Sequence, residues 1–199
     1  VFNETAKRLN SEIIFAEDLN PENYSSDLTG DYQTKNLQTV VTAIRKLNKS
    51  KFNISEESIY NGLMRVKKNT GLRGRWDILQ TNPKVICDTA HNTEGLIYVL
   101  KQLLKEDFTN LHIVLGVVND KDLRSILPLF PKTATYYFCK PNVPRGMDQI
   151  ELQRKCLASG LHGESYSSVK SAFDSALKKS TKHDLIFIGG SNFVVAEVL

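Results

Sequence analysis

Four apolar, strand-like runs in this sequence each lead into a polar segment able to bind or move charge. After Val85-Ile86-Cys87 comes Asp88-Thr89-Ala90-His91-Asn92-Thr93-Glu94-Gly95, ahead of a helical pattern. At a strand tip, Asp88 can accept hydrogen bonds from a ribose. His91 and Asn92 precede a helix N-terminus, whose unpaired N–H groups attract phosphate or carboxylate. Asn92 can equally be a helix cap, and Asp88 a turn former. After Ile113-Val114-Leu115-Gly116 comes Val117-Val118-Asn119-Asp120-Lys121-Asp122, in which Lys121 and Asp122 face a ligand or simply solvate a helix start. The loop Lys140-Pro141-Asn142-Val143-Pro144-Arg145-Gly146 carries two prolines that stiffen it. Lys140 and Arg145 are placed there as a carboxylate clamp, or are exposed loop cations; arginine can bind a carboxylate through two parallel hydrogen bonds. After Leu185-Ile186-Phe187-Ile188 comes Gly189-Gly190-Ser191-Asn192, a glycine turn with a hydroxyl ahead of a helix. It reads as an anion nest with a serine donor or as plain packing with Ser191 as a cap.

Earlier in the chain, Leu28-Thr29-Gly30-Asp31-Tyr32-Gln33-Thr34-Lys35-Asn36 gathers an aromatic ring, two amides and a helix start. Gln33 and Asn36 are three apart and can face one ligand. Arg75, after Leu72-Arg73-Gly74, is a candidate phosphate contact. His112 opens a strand and reads as a core or edge residue, while His162 and His183 fall in loops. No His/Cys/Asp cluster has zinc spacing. The sequence contains no G-x-S-x-G, G-x-G-x-x-G or G-x-x-x-x-G-K-[ST].

The elements that must hold these groups follow from periodicity. Residues 2–10 read as the end of a helix and 12–16 as a short strand. Residues 17–35 form a long irregular connection. Leu37, Val40, Val41, Ile44 and Leu47 recur at helical intervals over 36–49, and Ser55 can cap a second helix carrying Ile59, Leu63 and Val66. After a basic stretch over 67–74 the pattern alternates. Strands are predicted over 75–80, 85–88, 112–116, 135–138 and 185–189, with a weaker one over 164–166. Helices are predicted over 93–104, 121–129, 148–158 and 168–178, and another opens near Asn192. Such alternation builds a mostly parallel sheet with helices on both faces. The short spacing between the first two strands predicts a hairpin, hence one antiparallel edge strand. Ligands of such sheets bind beyond the carboxyl ends of the strands.

The chain has 199 residues, 41% hydrophobic and 24% charged, which suits a globular protein of one large domain or one domain plus part of another. No apolar run approaches the ~20 residues that cross a bilayer, and no basic stretch followed by an apolar one opens the chain. Net charge is +4 and the basic residues are dispersed, which points away from nucleic acid and membrane. Cys87, Cys139 and Cys156 are odd in number and far apart, as expected of free thiols in a reducing, cytoplasmic compartment. Both ends read as mid-helix, so a piece of a longer protein is expected.

Taken in order, Gly30-Asp31-Tyr32-Gln33-Thr34-Lys35-Asn36, Gly74-Arg75, Asp88-Thr89-Ala90-His91-Asn92, Leu115-Gly116 with Asp120-Lys121-Asp122, and Gly190-Ser191 resemble folylpolyglutamate synthase/dihydrofolate synthase of the Mur ligase superfamily. The resemblance covers nearly the whole chain. It implies an α/β, Rossmann-like C-terminal glutamate-ligase domain over 73–199, preceded over 1–72 by the tail of an upstream ATP-binding domain. It implies an ATP-dependent amide ligase, acting through an acyl phosphate, that joins L-glutamate to folate or dihydropteroate. ATP and Mg2+ are the implied cofactors, with the metal ligands and phosphate loop upstream. The fragment alone is then inactive, and a monomer. By position, Asn36, Arg75, Asp88 and His91 match nucleotide contacts, with His91 also catalytic, and Ser191 matches a glutamate contact. Lys121 and Arg145 are added as substrate-binding cations on the residue reading above. The family's D-G-A-H-N has Thr89 for its glycine here, and Thr93 replaces the proline of N-P. Rival readings are another Mur-type amino-acid ligase domain, or a non-catalytic Rossmann-like nucleotide-binding or interaction domain.

Overall fold

A computed structural model describes residues 1–18, 24–48, 52–120 and 122–199. They fall into two compact units, one comprising Val1–Asp27 with Gln33–Thr70, the other Leu28–Tyr32 with Gly71–Leu199.

The first unit is helical: α1 (Phe2–Arg8), α2 (Gln33–Asn48), α3 (Glu56–Leu63) and α4 (Val66–Thr70). Val41, Ile59 and Leu63 form its small core, with Tyr24, Leu37, Ile44 and Ile54 packed around them. The apolar stripe of α2 is narrower than its periodicity suggests. Leu37, Val41 and Ile44 turn inward, whereas Val40 and Leu47 lie on the flank and are exposed. Ser55 caps α3 by accepting from the Ser58 amide, and Asp27 accepts from the Val66 and Lys67 amides at the start of α4. The strand predicted over 12–16 is absent. No described strand pairs with this segment, and Ile13, Ile14 and Phe15 are exposed; a lone strand leaves its backbone groups unpaired. Only a 3-10 turn, Ala16–Asp18, forms there.

The second unit runs β1 (Asp77–Thr81), β2 (Lys84–Cys87), α5 (Thr93–Leu103), β3 (Leu111–Leu115), α6 (Leu123–Ile126), β4 (Thr135–Cys139), α7 (Gln149–Ala158), β5 (Gly163–Tyr166), α8 (Val169–Lys179), β6 (Leu185–Gly189) and α9 (Asn192–Ala196). The sheet order is β1-β2-β6-β3-β4-β5. Every neighbouring pair is parallel except β1 and β2, which form the expected antiparallel edge. Alternate residues on each strand face opposite layers. Ile86, Ile113, Leu115, Tyr136, Phe138 and Phe187 pack with α5 and α7. Val85, Cys87, Val114, Tyr137, Cys139, Ile186 and Ile188 pack with α8 and α9. Both faces are covered, so the central strands β3 and β6 are buried at every position.

Two predicted elements change shape. The first strand begins at Asp77 rather than Arg75, because Trp76 takes a left-handed φ of 50° that no strand allows. The helix predicted over 121–129 is the short α6 followed by a 3-10 turn, Leu127–Leu129, whose Pro128 has no N–H to continue an α-helix. All three cysteines are buried free thiols, and burial pushes Cys156 up to about 12, which leaves it inert. Among the described residues no helix is long and apolar enough to cross a membrane.

At the amino ends of the strands, Asp184 accepts bonds from the Asn110 and Thr181 amides. Burial pushes its carboxyl up, but those bonds outweigh it and hold the group below its ordinary value. His112, buried beside it, places Nδ1 3.0 Å from the Tyr137 hydroxyl. Its Nε2 lies 3.7 Å from Asp184, too far for a hydrogen bond. Burial lowers the His112 pKa from 6.5, and the Lys179 charge on α8 adds to this, against the pull of Asp184. A histidine depressed in the folded state stabilises the fold above 6.5, because the unfolded chain takes up the proton first as pH falls. We expect the unfolding free energy to decline as pH drops below 6.5, and His112→Phe to flatten that slope. Urea titrations across this range test it; an unchanged slope in the variant refutes the assignment.

Candidate functional site

The carboxyl ends of β2, β3, β4 and β6 open on one edge of the sheet. The loops leaving them carry most of the residues singled out from the sequence. β6 lies between β2 and β3, so the loop that follows it flanks both of theirs. Its turn depends on glycine. Gly190 has φ +92°, and a Cβ there would sit 2.6 Å from Leu115 Cδ1 and 2.7 Å from the Gly116 carbonyl oxygen. That close approach places Ser191, 3% exposed, at the start of α9, where its Oγ accepts from the Phe193 amide at 3.2 Å.

Asp88 stands one residue beyond β2 and is 1% exposed. Its Oδ1 accepts from the Ala90 amide at 2.7 Å; its Oδ2 accepts from the Trp76 amide at 2.7 Å and the Tyr32 hydroxyl at 2.8 Å. Burial pushes this carboxyl above its ordinary value. The three bonds and the Arg75 charge pull it back down. The turn before β1 supplies two of these partners. Gly74, at φ +72°, lets the chain reverse, and Asp77 accepts from its amide at 2.7 Å. The left-handed Trp76 then aims its N–H at Asp88, and the Arg75 guanidinium donates to the Thr89 hydroxyl. Thr89 is not strained: among the described non-glycine residues only Asn10 and Trp76 have positive φ, so the backbone at 89 does not require glycine.

His91 Nδ1 lies 2.9 Å from the Thr89 carbonyl oxygen. An oxygen of that kind only accepts, so Nδ1 carries the proton and Nε2 is left for a ligand. Asn92 caps α5, its Oδ1 accepting from the Gly95 amide at 2.9 Å. Two cavities lie here. One of about 200 Å³ is lined by Tyr32, Arg75, Asp88, Thr89, His91 and Asn192, among others. Another, of about 240 Å³, is lined by His91, Asp120, Arg145, Ser191, Asn192 and Phe193, with Val118. His91 and Asn192 are common to both.

Arg145 reaches the second cavity because its loop is tied to the chain after β3. The Asn119 amide donates to the Arg145 carbonyl, and the Met147 amide to the Val117 carbonyl. The Arg145 guanidinium lies 3.1 Å from Asp120 and 5.1 Å above the Phe193 ring. Lys140 does not join it: that residue lines a separate hollow with Ser168 and Glu197, so the paired clamp read from the sequence reduces to Arg145. Asn36 belongs to the helical unit, where its side chain donates to Gln33 Oε1 at 2.8 Å. Lys121 lies outside the described residues. Among the described residues no three His, Cys, Asp or Glu side chains are grouped so as to hold a metal ion.

Arg75, Asp88, His91, Arg145 and Ser191 are thus brought to one edge, around two cavities that share His91 and Asn192 in their linings. Sequence reasoning missed Trp76, Asp120, Asn192 and Phe193, and quoted Tyr32 without a role. Phe193 and Asn192 had a signal, their place at the helix start after the glycine turn. The Trp76 amide had none, because a left-handed tryptophan is invisible in the letters.

Comparison with known proteins bears on the family and the fold. Residues 74–192 match the family model described as Mur ligase, glutamate ligase domain. A probable bifunctional folylpolyglutamate synthase/dihydropteroate synthase of Haloferax volcanii is 31% identical over 173 residues, 85% of this chain and 20% of the relative. The dihydrofolate synthase/folylpolyglutamate synthase of Escherichia coli is 30% identical over 162 residues, 79% of this chain and 36% of the relative. The chain therefore spans well under half the length of these relatives. Among solved structures, E. coli FolC in complex with DHPP and ADP superposes with a TM-score of 0.72 at 26% identity, covering 89% of this chain and 40% of that one. A bifunctional folylpolyglutamate synthase/dihydrofolate synthase with Mn, AMPPNP and L-glutamate bound gives 0.68 at 26% identity, covering 81% and 38%.

The crowding around Gly190 makes a direct prediction. Gly190→Ala adds a left-handed backbone penalty to a clash with a carbonyl oxygen, and should destabilise the sheet unit by about 2–4 kcal/mol in urea unfolding. A loss below about 0.5 kcal/mol, the scale of an ordinary surface change, would mean that the turn is not held as described.

Proposed function

The chain belongs to the Mur ligase family through its glutamate ligase domain, and on that premise we propose that it serves an ATP-dependent amide ligase that adds L-glutamate to folate or dihydropteroate. Residues 73–199 are the ligase domain, and 1–72 the tail of the ATP-binding domain. The observation that carries this reading is that two cavities share His91, one lined by Asp88 and Arg75, the other by Ser191 and Arg145. Such a pair suits a reaction that joins a nucleotide-activated group to a small amine.

In the proposed reaction a carboxylate oxygen of the folate substrate attacks the γ-phosphorus of ATP, and ADP leaves. The glutamate nitrogen, its ammonium proton lost, then attacks the acyl carbon. The resulting tetrahedral oxyanion collapses with release of phosphate. The residues of this chain bind and orient. Asp88 takes a ribose hydroxyl, and Arg75 and the N–H groups ahead of α5 face phosphate. His91, with Nδ1 fixed on the Thr89 carbonyl, presents Nε2 to the two cavities it lines. There it can donate to developing negative charge when protonated. Ser191 and Arg145 hold the carboxylates of glutamate. Asn36 is assigned to the nucleotide, and Lys121 to the substrate, by sequence position. Among the described residues no three His, Cys, Asp or Glu side chains group around a metal; Mg2+ arriving with ATP would neutralise phosphate charge.

The sequence carries no phosphate loop, so this chain by itself should not ligate glutamate; turnover by the isolated chain would overturn the fragment reading. In the whole protein, Ser191→Ala should raise KM for glutamate roughly tenfold, the loss of one hydrogen bond to a charged group, with the ATP KM little changed. His91→Ala should cut kcat by about 10²-fold or more, the scale of losing one oxyanion donor. Wild-type constants in both variants, with normal folding, would refute the site.

A further inference from the structure

The pentapeptide Leu28–Tyr32 is grouped with the sheet unit although the chain on either side of it is grouped with the helices. It is strapped there at several points. The Asp31 amide donates to Gln102 Oε1 at 2.6 Å, Gln102 Nε2 donates to the Thr29 carbonyl at 3.1 Å, and Lys105 pairs with Asp31 at 3.0 Å. At its end the Tyr32 ring packs on the core beneath α5, and its hydroxyl donates to Asp88 Oδ2 at 2.8 Å. Gly30 makes this possible. A Cβ on residue 30 would lie 2.7 Å from Tyr32 Cε1, so the ring folds back over the strap only because that position has no side chain.

We propose that Tyr32 is a positioning residue of the nucleotide cavity: its hydroxyl, carried on the Leu28–Tyr32 strap, fixes the Asp88 carboxylate so that Oδ1 is turned to a sugar hydroxyl. The inference rests on the nucleotide reading of that cavity and adds a residue to it. Phenylalanine would supply the same ring packing, so the hydroxyl is accounted for by the carboxylate it meets. Oδ2 is saturated by Tyr32 and the Trp76 amide, whereas Oδ1 holds only the Ala90 amide and keeps one acceptor position open. Tyr32 and Asp88 both line the cavity. The groups facing Asp88 are Tyr32 on the strap, Arg75 and the Trp76 amide on the turn before β1, and the Ala90 amide after β2. Without the phenol, one of the influences that pull the carboxyl back down against burial is lost.

The test is ADP binding to the full chain, followed by NMR shifts of the Ala90, His91 and Asn92 amides and repeated across the acid range. Tyr32→Phe should weaken ADP roughly tenfold, in line with one hydrogen bond to a charged group. It should also move the acid limb of the affinity profile to higher pH. A purely structural tyrosine would lower affinity equally at every pH. Gly30→Ala, which crowds the ring from the strap side, should weaken ADP as well. Affinity within twofold of wild type in Tyr32→Phe, tighter binding, or a loss without the pH shift would each overturn the proposal. Asp88→Asn and Arg75→Ala separate the two readings. If they weaken ADP while Tyr32→Phe does not, only the role of Tyr32 fails. If they have no effect, or if wild type shows no shifts at millimolar ADP, the nucleotide reading fails and this inference with it.

Discussion

A carboxyl group buried at the tip of β2 constrains everything around it. Taking Asp88 out of water is costly unless donors replace the lost solvent. The three donors come from three separate stretches: the strap ending at Tyr32, the left-handed turn at Trp76, and the Ala90 amide on its own loop. None is useful unless the others are in place, because a half-satisfied buried acid is worse than none. The strained backbone of Trp76, an arrangement costing about 1–3 kcal/mol, is held by the bond it makes possible. The turn that carries Arg75 therefore exists in its observed form because Asp88 is there.

Strand order then decides what lies next to this acid. β2 leads through α5 to β3, but the two do not pair; β6 comes last in the chain and fills the gap between them. The loop after β6 consequently stands between those after β2 and β3, and Ser191 becomes a spatial neighbour of His91 although a hundred residues separate them. The glycine pair at the end of β6 is the structural cost of this insertion. Cys139 of β4 and Val194 of α9 approach Gly116, and the Leu115 side chain and the Gly116 carbonyl approach Gly190, so closely that a Cβ at either glycine would strike its neighbours.

Much of this was legible in the letters, and the exceptions share a cause. Caps were readable because Ser55, Asn92 and Ser191 act on amides two or three residues away, a purely local event. Strands β3 and β6 were readable because continuous apolar runs belong in a doubly covered sheet. Residues 12–16 were misread because a strand needs a partner, and partners are not local. Val40 and Leu47 were misassigned because periodicity shows which face of a helix is apolar, not how much of it a small core can cover. The Tyr32 hydroxyl and the Trp76 amide could not be placed on Asp88 from spacing, since each contact depends on a turn conformation that no residue type announces. Thr89 shows the converse. It departs from the family pattern, and the backbone there does not need the glycine it replaces.

The choice between cap and ligand contact, which the sequence left open for several residues, loses its force once each hydrogen-bonding atom is counted. Ser191 uses a lone pair of Oγ to cap α9, but its hydroxyl proton has no acceptor among the described residues. Asn92 spends Oδ1 on the Gly95 amide and keeps its NH2 group. His91 spends Nδ1 on the Thr89 carbonyl and keeps Nε2. In each case one end of the group is fixed by its own loop and the other faces a cavity. A side chain held in this way loses little rotamer freedom on meeting a ligand, so its contact is stronger than that of a mobile surface group. Arg145 follows the same logic by different means: Asp120 and the Phe193 ring hold the guanidinium over the cavity mouth while part of its fork remains in solvent. Capping and ligand contact need not compete at these positions, because the local bond that shapes the loop also fixes the direction of the remaining polar atom.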